Sequence, residues 1–304
     1  MTKITNKMGL PKQLVSLVDN DYKPTDKRYS CTTILKPTRQ IILERRYGDQ
    51  IEQDVSEMVW CIFGTLAHSV IENAQEDEGQ FKEEKLLVDI GKYCEELKGY
   101  YLSGRSDLID LLDKCITDWK TCSAWKIILK DFEDWRKEML IYAFAVKDMG
   151  FEINKAQAIA FIKDHSKTKS KIDKTYPKLP VWVEKFKFND EDFEEIKEFI
   201  INRFKELKQY ENATDEELPL CTLEERWNDG NKYAVKKKKN KRADRVYDSK
   251  EKAEEHLSKI PENSRNDYEI EERIGEDKRC LEYCSCCKFC PYYKEKYEEK
   301  KEGK

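Results

Sequence analysis

The chain has 304 residues and a formal net charge of −4 at pH 7, with 39% charged and 11% aromatic residues. The aromatic content excludes a disordered chain, and the slightly negative charge disfavours a protein that coats nucleic acid over its whole surface, although a local basic track remains open. No apolar run approaches a membrane span and residues 1–15 lack the apolar segment of a signal peptide, so we expect a cytoplasmic protein without a membrane partner.

The N-terminal part of the chain begins with a polar segment and continues into a helix. Residues 1–28 are predicted to form an arm. In residues 54–74, apolar residues recur at helical spacing and predict an amphipathic helix with a buried apolar face. Its apolar positions are Val55, Val59, Ile62, Phe63, Leu66 and Val70. Gly64, His68 and Glu72 share a different stripe of the same helix.

The middle of the chain alternates strands and helices. Residues 84–121 contain three strand-like runs separated by polar turns. A helix is predicted over 131–150, a buried strand over 155–166, and a long helix over 189–210 that begins at Asn189 as its N-cap. This order of elements predicts an α/β fold.

Beyond about residue 212 the amino-acid composition of the sequence changes. This part contains a lysine-rich stretch, a predicted short helix, a predicted strand and a cysteine cluster. We therefore predict four segments along the chain. They are an N-terminal arm at 1–28, a core at 29–211, a basic hairpin with a cysteine-rich region at 212–293, and a flexible tail at 294–304.

The stretch "GRSDLIDLLDKCITDWKT" (104–121) places two aspartates in apolar surroundings. Asp118 and Lys120 are two residues apart and share one face of a strand, and Asp107 on the neighbouring strand can meet Asp118 across the ladder. Two carboxylates this close should not both be ionised without a cation. A divalent ion with oxygen ligands would satisfy them and could activate a water for attack on phosphorus. Spacing alone also allows two surface aspartates beside an extended lysine.

Four short motifs between residues 60 and 146 carry a family resemblance. "GTLAHSVIE", "SGRSDLID", "TDWKT" and "WRKEMLIYAFAV" follow one another in the order and rough spacing of the PD-(D/E)XK nuclease superfamily. The chain resembles its RecB-like exonuclease branch, which includes the AddB nuclease domain, the CRISPR adaptation nuclease with an iron–sulfur cluster, and phage-encoded relatives. The similarity to phage-type members continues through "DEELPLCTLEERW", "KYAVKKKKNKRADRV" and the terminal cysteines. It implies a restriction-endonuclease-like core, with a mixed central sheet flanked by helices.

The resemblance also implies roles for particular residues. His68, Asp107 and Asp118 correspond to metal-binding side chains, and the backbone carbonyl of Trp119 would be a further ligand. Lys120 corresponds to the catalytic lysine. The ion would be Mg²⁺ or Mn²⁺. Without the resemblance, His68 reads more simply as a core histidine on a buried helix.

The family's Gln-xxx-Tyr motif falls on Glu138 and Tyr142. These two residues are four apart on one helix face and are expected to act together near the DNA. The glutamate departs from the family's glutamine, and an anion at this position could bind a second metal or weaken the contact with DNA.

The segment "RCLEYCSCCKFCPYY" (279–293) groups five cysteines. Cys280, Cys284, Cys287 and Cys290 have the spacing of a metal site, with Cys286 to spare, and in a reducing compartment such clustering predicts metal rather than disulfides. Four thiolates could enclose Zn²⁺ or hold a [4Fe–4S] cluster, and a reduced patch without metal is the alternative.

The cluster-bearing relatives favour [4Fe–4S] at these cysteines, with Zn²⁺ as the alternative. Those relatives take one ligand from far upstream, at a position that falls on Lys36-Pro37 in this chain. Either Cys31 substitutes for that ligand, or all four ligands come from the C-terminal group, which would then include Cys286 as an alternate. The role implied is structural.

A basic stretch between Tyr233 and Tyr247 is predicted to form a β-hairpin with its turn near Asn240. Its lysines and arginines would contact DNA phosphates without reading sequence, and the aromatic residues could stack on bases. A solvated loop is the alternative. The predicted contact residues are Lys236, Lys237, Lys238, Lys239, Lys241, Arg242 and Arg245.

Taken together, these features predict a metal-dependent deoxyribonuclease of a bacterial or phage-infected cell. The resemblance implies an exonuclease that acts on single-stranded DNA or free ends, in recombination, repair or phage DNA metabolism. The alternative is a catalytically weak DNA-binding module that keeps the nuclease fold and a structural metal cluster, for which Glu138 is the best support. A third reading is an iron–sulfur or zinc protein whose cluster serves partner binding.

Overall fold

The computed structural model describes residues 2–18 and 25–298. The chain divides into two compact units, Met1–Glu217 and Leu218–Lys304. The division lies a few residues beyond the boundary expected between 211 and 212. The acidic hairpin therefore belongs to the first unit, and the basic stretch and terminal cysteines belong to the second.

Within the described residues of the first unit, strands and helices alternate as expected. The strands are β1 Lys3–Thr5, β2 Arg28–Ser30, β3 Glu52–Asp54, β4 Gln80–Asp89, β5 Tyr101–Asp110, β6 Cys115–Cys122, β7 Lys155–Ile162 and β8 Val181–Lys187. The α-helices are α1 Lys12–Ser16, α2 Thr38–Arg46, α3 Val59–Glu72, α4 Ala124–Leu129, α5 Glu133–Asp148, α6 Lys167–Ile172 and α7 Asp190–Tyr210. The three strands predicted within 84–121 are confirmed as β4, β5 and β6.

Six strands form one mixed sheet in the order β2-β5-β6-β7-β8, with β4 paired to β5. The pairs β4–β5, β5–β6 and β7–β8 are antiparallel, whereas β2–β5 and β6–β7 are parallel. With helices packed against it, this sheet confirms the predicted α/β class and its mixed central sheet.

Helix α5 packs against β4, β5, β6 and β7, and α7 packs against α5 and α2. The predicted apolar face of α5 is confirmed, because Trp135, Met139, Tyr142 and Val146 are all buried. The predicted N-cap of α7 is also confirmed, since the Asn189 side chain accepts the Asp192 backbone N–H in a reciprocal capping box.

Helix α3 lies where the sequence predicts it, but the prediction of a buried apolar face is wrong. Ile62 is buried, whereas Phe63 is 54% and Val70 is 73% exposed. Val59 and Leu66 are exposed as well. Helical spacing identifies a stripe of apolar residues but does not say which side of the helix meets the protein. In the fold, the side of α3 that carries His68 is the one turned towards the sheet.

The segment expected to be a free arm is partly attached to the first unit. Strand β1 pairs in parallel with β3. The Asp54 carboxylate accepts hydrogen bonds from the Thr5 hydroxyl at 2.8 Å and from the Lys7 backbone N–H at 2.9 Å. Among the described residues, no helix is both long enough and apolar enough to cross a membrane.

The second unit is built on a three-stranded antiparallel sheet in the order β10-β9-β11. Its described elements are β9 Lys232–Lys237, β10 Arg245–Tyr247, α8 Lys250–Lys259, α9 Glu262–Arg265, β11 Tyr268–Arg273 and α10 Pro291–Tyr293. Strands β9 and β10 confirm the predicted basic hairpin, and the Asn240 backbone N–H donates to the Lys237 carbonyl at its turn. The predicted tail is described to residue 298, and its remainder lies outside the described residues.

One carboxylate joins distant parts of the second unit. Asp277 is fully buried, and its oxygens contact basic, amide and hydroxyl groups from both ends of the unit. The donors are Asn228 Nδ2 at 2.6 Å, Tyr292 Oη at 2.7 Å, Lys296 Nζ at 2.8 Å, Tyr297 Oη at 2.9 Å and Arg226 Nη1 at 3.3 Å. These contacts stabilise the negative charge of the Asp277 carboxylate, which would otherwise be energetically costly to bury.

Candidate metal centre

The predicted acidic residues lie where two strands of the sheet separate. The β5–β6 ladder pairs Asp110 with Cys115, Ile109 with Ile116 and Leu108 with Thr117, and then stops. Asp107 and Asp118 are the next residues on each strand. Beyond this fork, β6 continues along β7 only, and the start of β5 pairs with β2.

Asp107 bridges the fork and reaches α3. Its Oδ2 accepts the backbone N–H of Trp119 at 2.8 Å. Its Oδ1 lies 3.3 Å from His68 Nδ1. The hydrogen bond to Asp107 raises the pKa of His68 against the opposing effect of burial, and a further hydrogen bond to the Trp119 backbone adds to this. The fold thus brings His68 and Asp107 together beside the Trp119 backbone, but the ligand atoms of the predicted set His68, Asp107 and Asp118 do not all lie within 4.8 Å of one another.

Lys120 lies between two carboxylates on the other side of the fork. Its Nζ is 2.9 Å from Asp118 Oδ2 and 2.6 Å from Glu138 Oε2. Glu138 comes from α5, so the packing of this helix on the sheet completes the group. Asp118 and Lys120 share a strand face as predicted, and Glu138, which was expected to act with Tyr142, joins them in a largely buried ion triplet.

Burial and charge act in opposite directions on this triplet. Burial raises the pKa of Asp118 to about 6 even though the nearby Lys120 opposes the shift. Burial alone would lower the pKa of Lys120, but the carboxylates of Asp118 and Glu138 raise it above its ordinary value. Asp118 Oδ2 is buried, and its contact with Lys120 Nζ is an ion pair rather than a well-aligned hydrogen bond.

The pKa of Asp118 predicts how metal binding depends on pH. We expect Mn²⁺ affinity to fall as the pH drops below about 6, because the proton that burial favours on Asp118 competes with the ion. For the metal-free protein, the same raised pKa of Asp118 predicts a change with pH in the opposite direction, towards a greater contribution to stability at lower pH. The native state binds this proton more tightly than the unfolded chain, so the contribution of Asp118 to the free energy of unfolding should rise as the pH falls from about 7 towards about 4, and the difference between wild type and Asp118→Asn isolates it from carboxyls of lowered pKa such as Asp54.

Calorimetric Mn²⁺ titrations between about pH 5 and 8 would measure the first effect, and urea unfolding with chelator present would measure the second. An affinity that stays constant across this range would contradict the assigned role of Asp118.

Glu83 is a site residue that the sequence reasoning missed. Ligand atoms of His68, Glu83 and Asp107 all lie within 4.8 Å of one another, and within the described ranges these residues form the one such group of His, Cys, Asp and Glu. They line a cavity of about 600 Å³ together with residues of α3. The sequence signal was weak, because Glu83 sits in a run of charged residues on β4 that resembles a solvated strand face.

Tyr142 and Cys31 lie behind the centre rather than in it. Cys31 is completely buried and Tyr142 is 8% exposed. A Cβ added to Gly104 would come within 2.7 Å of Cys31 Sγ and 2.9 Å of Tyr142 Cε1, so the absence of a side chain at 104 lets both residues pack under β5. Burial raises the pKa of each of these two groups. Cys31 is thus a core residue of the first unit, which does not favour it as a cluster ligand, and Tyr142 supports the helix that carries Glu138.

The terminal cysteines are partly gathered in the second unit. Cys284 Sγ lies 3.6 Å from Cys286 Sγ, close to the separation of about 3.8 Å between two sulfur ligands of a tetrahedral Zn²⁺. Burial raises the pKa of Cys280 to about 12, and the negative charge of the nearby Asp277 adds to this before the smaller contributions of Cys284 and Cys290. Cys286, which spacing left as an alternate, is in direct contact with Cys284. Cys287 also interacts electrostatically with Cys284.

The predicted DNA-contacting side chains separate into two groups. Lys236 forms ion pairs with Glu269 and Glu271 on the neighbouring strand. These pairs do not favour Lys236 as a contact for DNA phosphates. The others are exposed, on or beside the turn of the hairpin. They are Lys237, Lys238, Lys239, Lys241, Arg242 and Arg245.

Neither a family model nor a curated protein matches the chain. The crystal structure of SSO0001 superimposes on it with a TM-score of 0.45 at 15% sequence identity, over 68% of this chain and 87% of that chain. At this level of similarity, function has to be argued from the side chains.

Proposed function

We propose that the chain is a metal-dependent DNA nuclease whose first unit has a restriction-endonuclease-like, PD-(D/E)XK core of the RecB-like branch. The observation that carries this proposal is the fork between β5 and β6, where Asp107, Asp118 and the Lys120–Glu138 pair converge. Buried carboxylates at a point where the backbone ladder opens are suited to holding a cation at the surface of a sheet.

The residues fit a hard divalent cation such as Mg²⁺ or Mn²⁺. His68, Asp107, Asp118 and the Trp119 carbonyl would hold it, and carboxylate, carbonyl and imidazole groups suit Mn²⁺, while the oxygens suit Mg²⁺. Such an ion supplies an activated water and neutralises charge on the phosphate. The chain itself contributes the positive charge of Lys120, which Asp118 and Glu138 keep protonated and in place. That charge would stabilise the phosphate as negative charge builds on it.

DNA would be held by charge as well as by the metal. The exposed lysines and arginines of the hairpin turn in the second unit are suited to phosphate contacts that do not depend on sequence. The family resemblance favours single-stranded DNA or free ends as substrate, and an exonuclease of recombination, repair or phage DNA metabolism in the cytoplasm.

The terminal cysteines would hold a second, structural metal. The 3.6 Å contact between Cys284 Sγ and Cys286 Sγ and the spacing of the cysteines support a thiolate site. The resemblance favours [4Fe–4S], and Zn²⁺ is the alternative. Visible absorbance with metal analysis of the purified protein separates them, since an iron–sulfur cluster is coloured and zinc is not.

DNA digestion with and without Mn²⁺ tests the proposed activity. Linear and circular substrates, single- and double-stranded, would distinguish attack at ends from internal cleavage. We expect metal-dependent cleavage by the wild type and none by Asp118→Ala. Asp113→Ala is the matched control, because Asp113 is an exposed residue of the same hairpin that pairs with Lys155 at the surface. Equal cleavage by wild type and Asp118→Ala would refute the site.

A catalytically weak DNA-binding module is the second proposal, and the Lys120–Glu138 contact of 2.6 Å favours it. A lysine already paired with two carboxylates has less charge to offer a phosphate. DNA binding without metal-dependent cleavage, with cleavage restored in Glu138→Gln, would support this alternative.

A further inference from the structure

We infer that one face of strands β7 and β8, together with the first turns of α3, binds an unpaired DNA strand by stacking on its bases. The surface lies outside the proposed metal centre, and none of its residues belongs to the four motifs that carry the resemblance. The inference rests on the proposed function only in taking DNA as the ligand. We call this surface the β7–β8 face and define it by Phe161, Lys163, Val181, Val183, Lys185 and Lys187.

The two sides of the β7–β8 ladder differ in how they are covered. Ala158 and Ala160 are fully buried, on the side of β7 that packs against α5. On the other side, Phe161 and Val181 are each 37% exposed and Val183 is 46% exposed. Phe161 lies directly opposite Val181 in the antiparallel register, so their side chains lie next to each other on the sheet. This side therefore presents apolar side chains to solvent.

Two exposed aromatic rings of α3 lie beside the end of β7. Trp60 is 51% and Phe63 is 54% exposed, and their ring centres are 5.7 Å apart. The Lys163 backbone N–H donates to the Cys122 carbonyl at 3.0 Å, so Lys163 continues the strand beyond Ile162. Its Nζ lies 4.4 Å from the centre of the Trp60 ring. The aromatic pair of α3 thus joins the β7–β8 face through this lysine.

The β7–β8 face carries positive charge and no carboxylate. On this side, the two strands present only lysine, glutamine and apolar residues. Lys185 and Lys187 are exposed at one end and Lys163 is exposed at the other, about 25 Å away at about 3.3 Å per residue of strand. An unpaired DNA strand matches this arrangement, because its bases can stack on exposed aromatic rings while its phosphates pair with lysines. The bases of a duplex are already stacked on one another, so this face should select single strands.

A second copy of this chain is the main competing occupant, because exposed apolar side chains also mark protein interfaces. In a two-fold interface the same patch lies on both partners. The lysines of the β7–β8 face would then meet a surface that offers them no carboxylate, and interface cores are in general depleted of lysine. The composition of this face therefore favours nucleic acid over a second copy.

Binding of single-stranded DNA by the full chain, measured without added Mg²⁺ or Mn²⁺, tests the inference separately from cleavage. The probe is a fluorescein-labelled oligothymidylate of about 12 nucleotides, within the usual range of single-strand sites, and the readout is fluorescence anisotropy. We expect Trp60→Ala to weaken binding roughly five- to a hundredfold, the usual effect of losing one stacked base. Trp60→Phe keeps an aromatic ring and should restore most of the affinity. Affinity for a duplex of the same length should be the same in all three proteins.

The lysines should have a different signature from the aromatic rings. Lys185→Gln combined with Lys187→Gln should reduce the slope of log affinity against log salt by about 1.4, at about 0.7 per phosphate contact. Trp60→Ala should leave this slope unchanged, because a stacked ring displaces no counterion. The matched controls are Val70→Ala, 73% exposed on the same helix, and Lys98→Gln, an exposed lysine of the same unit. Neither control should change the affinity or the slope.

Each outcome has one meaning for the inference. Unchanged single-strand affinity in Trp60→Ala, or an equal loss for duplex DNA, would overturn it even if the protein cleaves DNA. A loss confined to single strands would sustain it even if no DNA is cleaved, in which case the nuclease proposal fails instead. Circular dichroism of Trp60→Ala has to match wild type; if it does not, Phe63→Ala takes its place with the same expected loss.

Light scattering of the free protein checks the competing occupant. We expect the same molar mass for wild type and Trp60→Ala. A dimer in wild type that becomes a monomer in Trp60→Ala would assign the β7–β8 face to contacts between copies of the chain and would overturn the inference.

Discussion

Lys120→Met should lower the rate of DNA cleavage by about 10²–10³-fold, the usual effect of removing one group that stabilises charge in a transition state. The Lys120 side chain lies between Asp118 and Glu138 in the fork of the sheet, with only 19% of it exposed. In such a site a positive charge acts with little screening by water. Methionine keeps most of the length of the side chain and removes its charge and its hydrogen-bond donors.

The same substitution should destabilise the protein in a way that metal reverses. Without Lys120, the carboxylates of Asp118 and Glu138 share a buried site with no counter-charge, which costs about 3–5 kcal/mol when one partner of a buried pair is removed. A divalent cation bound to Asp118 supplies the missing charge. We therefore expect a large fall in the free energy of unfolding with chelator present, and a smaller fall in Mn²⁺.

Single-turnover cleavage and urea unfolding, each measured on the same preparations, would test both effects. Lys155→Met is a suitable control, because Lys155 on β7 forms an exposed pair with Asp113 of the β5–β6 turn and the substitution should change neither quantity. Wild-type cleavage by Lys120→Met would remove the lysine from the mechanism. A loss of stability that Mn²⁺ does not reverse would show that the ion does not bind beside Asp118.

The hairpin with Asp107, Asp118 and Lys120 could be predicted from sequence because each step depends on local spacing. Alternation places Asp118 and Lys120 on one strand face, and the antiparallel register places Asp107 opposite Asp118. Local spacing does not predict that the pairing between β5 and β6 ends at Leu108 and Thr117. That opening depends on β2 competing for the edge of β5, and the two strands are about 70 residues apart in sequence.

Glu83 and helix α3 show two further limits of sequence patterns. Period-2 alternation assumes regular strand geometry, and one left-handed residue in β4 is enough to bring Glu83 to the cavity. Helical periodicity likewise assumes that the apolar side of α3 is the buried side. In the structure the side carrying His68 faces Asp107, and Phe63 and Val70 are left exposed. Both misassignments concern residues beside the proposed metal centre, where packing and function place different demands on the same segment.

Asp277→Ala is expected to remove a large part of the stability of the second unit. The buried carboxylate of Asp277 pairs with Arg226, whose side chain is only 10% exposed, and with Lys296. Removing it leaves a buried guanidinium without its counter-charge, at a cost of about 3–5 kcal/mol. A unit of this size is stable by only roughly 4–13 kcal/mol, at about 0.05–0.15 kcal/mol per residue.

Hydrogen-exchange mass spectrometry can locate this effect. Protection should fall across the peptides of residues 218–298 in Asp277→Ala, while the central strands of the first unit keep theirs. Asp248→Ala is the matched control, because Asp248 is 80% exposed in the same unit and forms a surface pair with Lys232. It should exchange like wild type. Asp277→Asn, which keeps hydrogen-bonding capacity but not charge, should lie between the two.

The pH dependence of the second unit provides an independent check of the charge. Burial alone would raise the pKa of Asp277, but hydrogen bonds from Lys296, Asn228 and two tyrosines hold it well below its usual range. Its contribution to stability is therefore present above about pH 4, where an aspartate of the unfolded chain ionises, and is lost only as the pH falls through the lower native pKa. In wild type, protection of residues 218–298 should persist into mild acid. If Asp277→Ala retains the same protection under these conditions, the carboxylate does not hold the unit together.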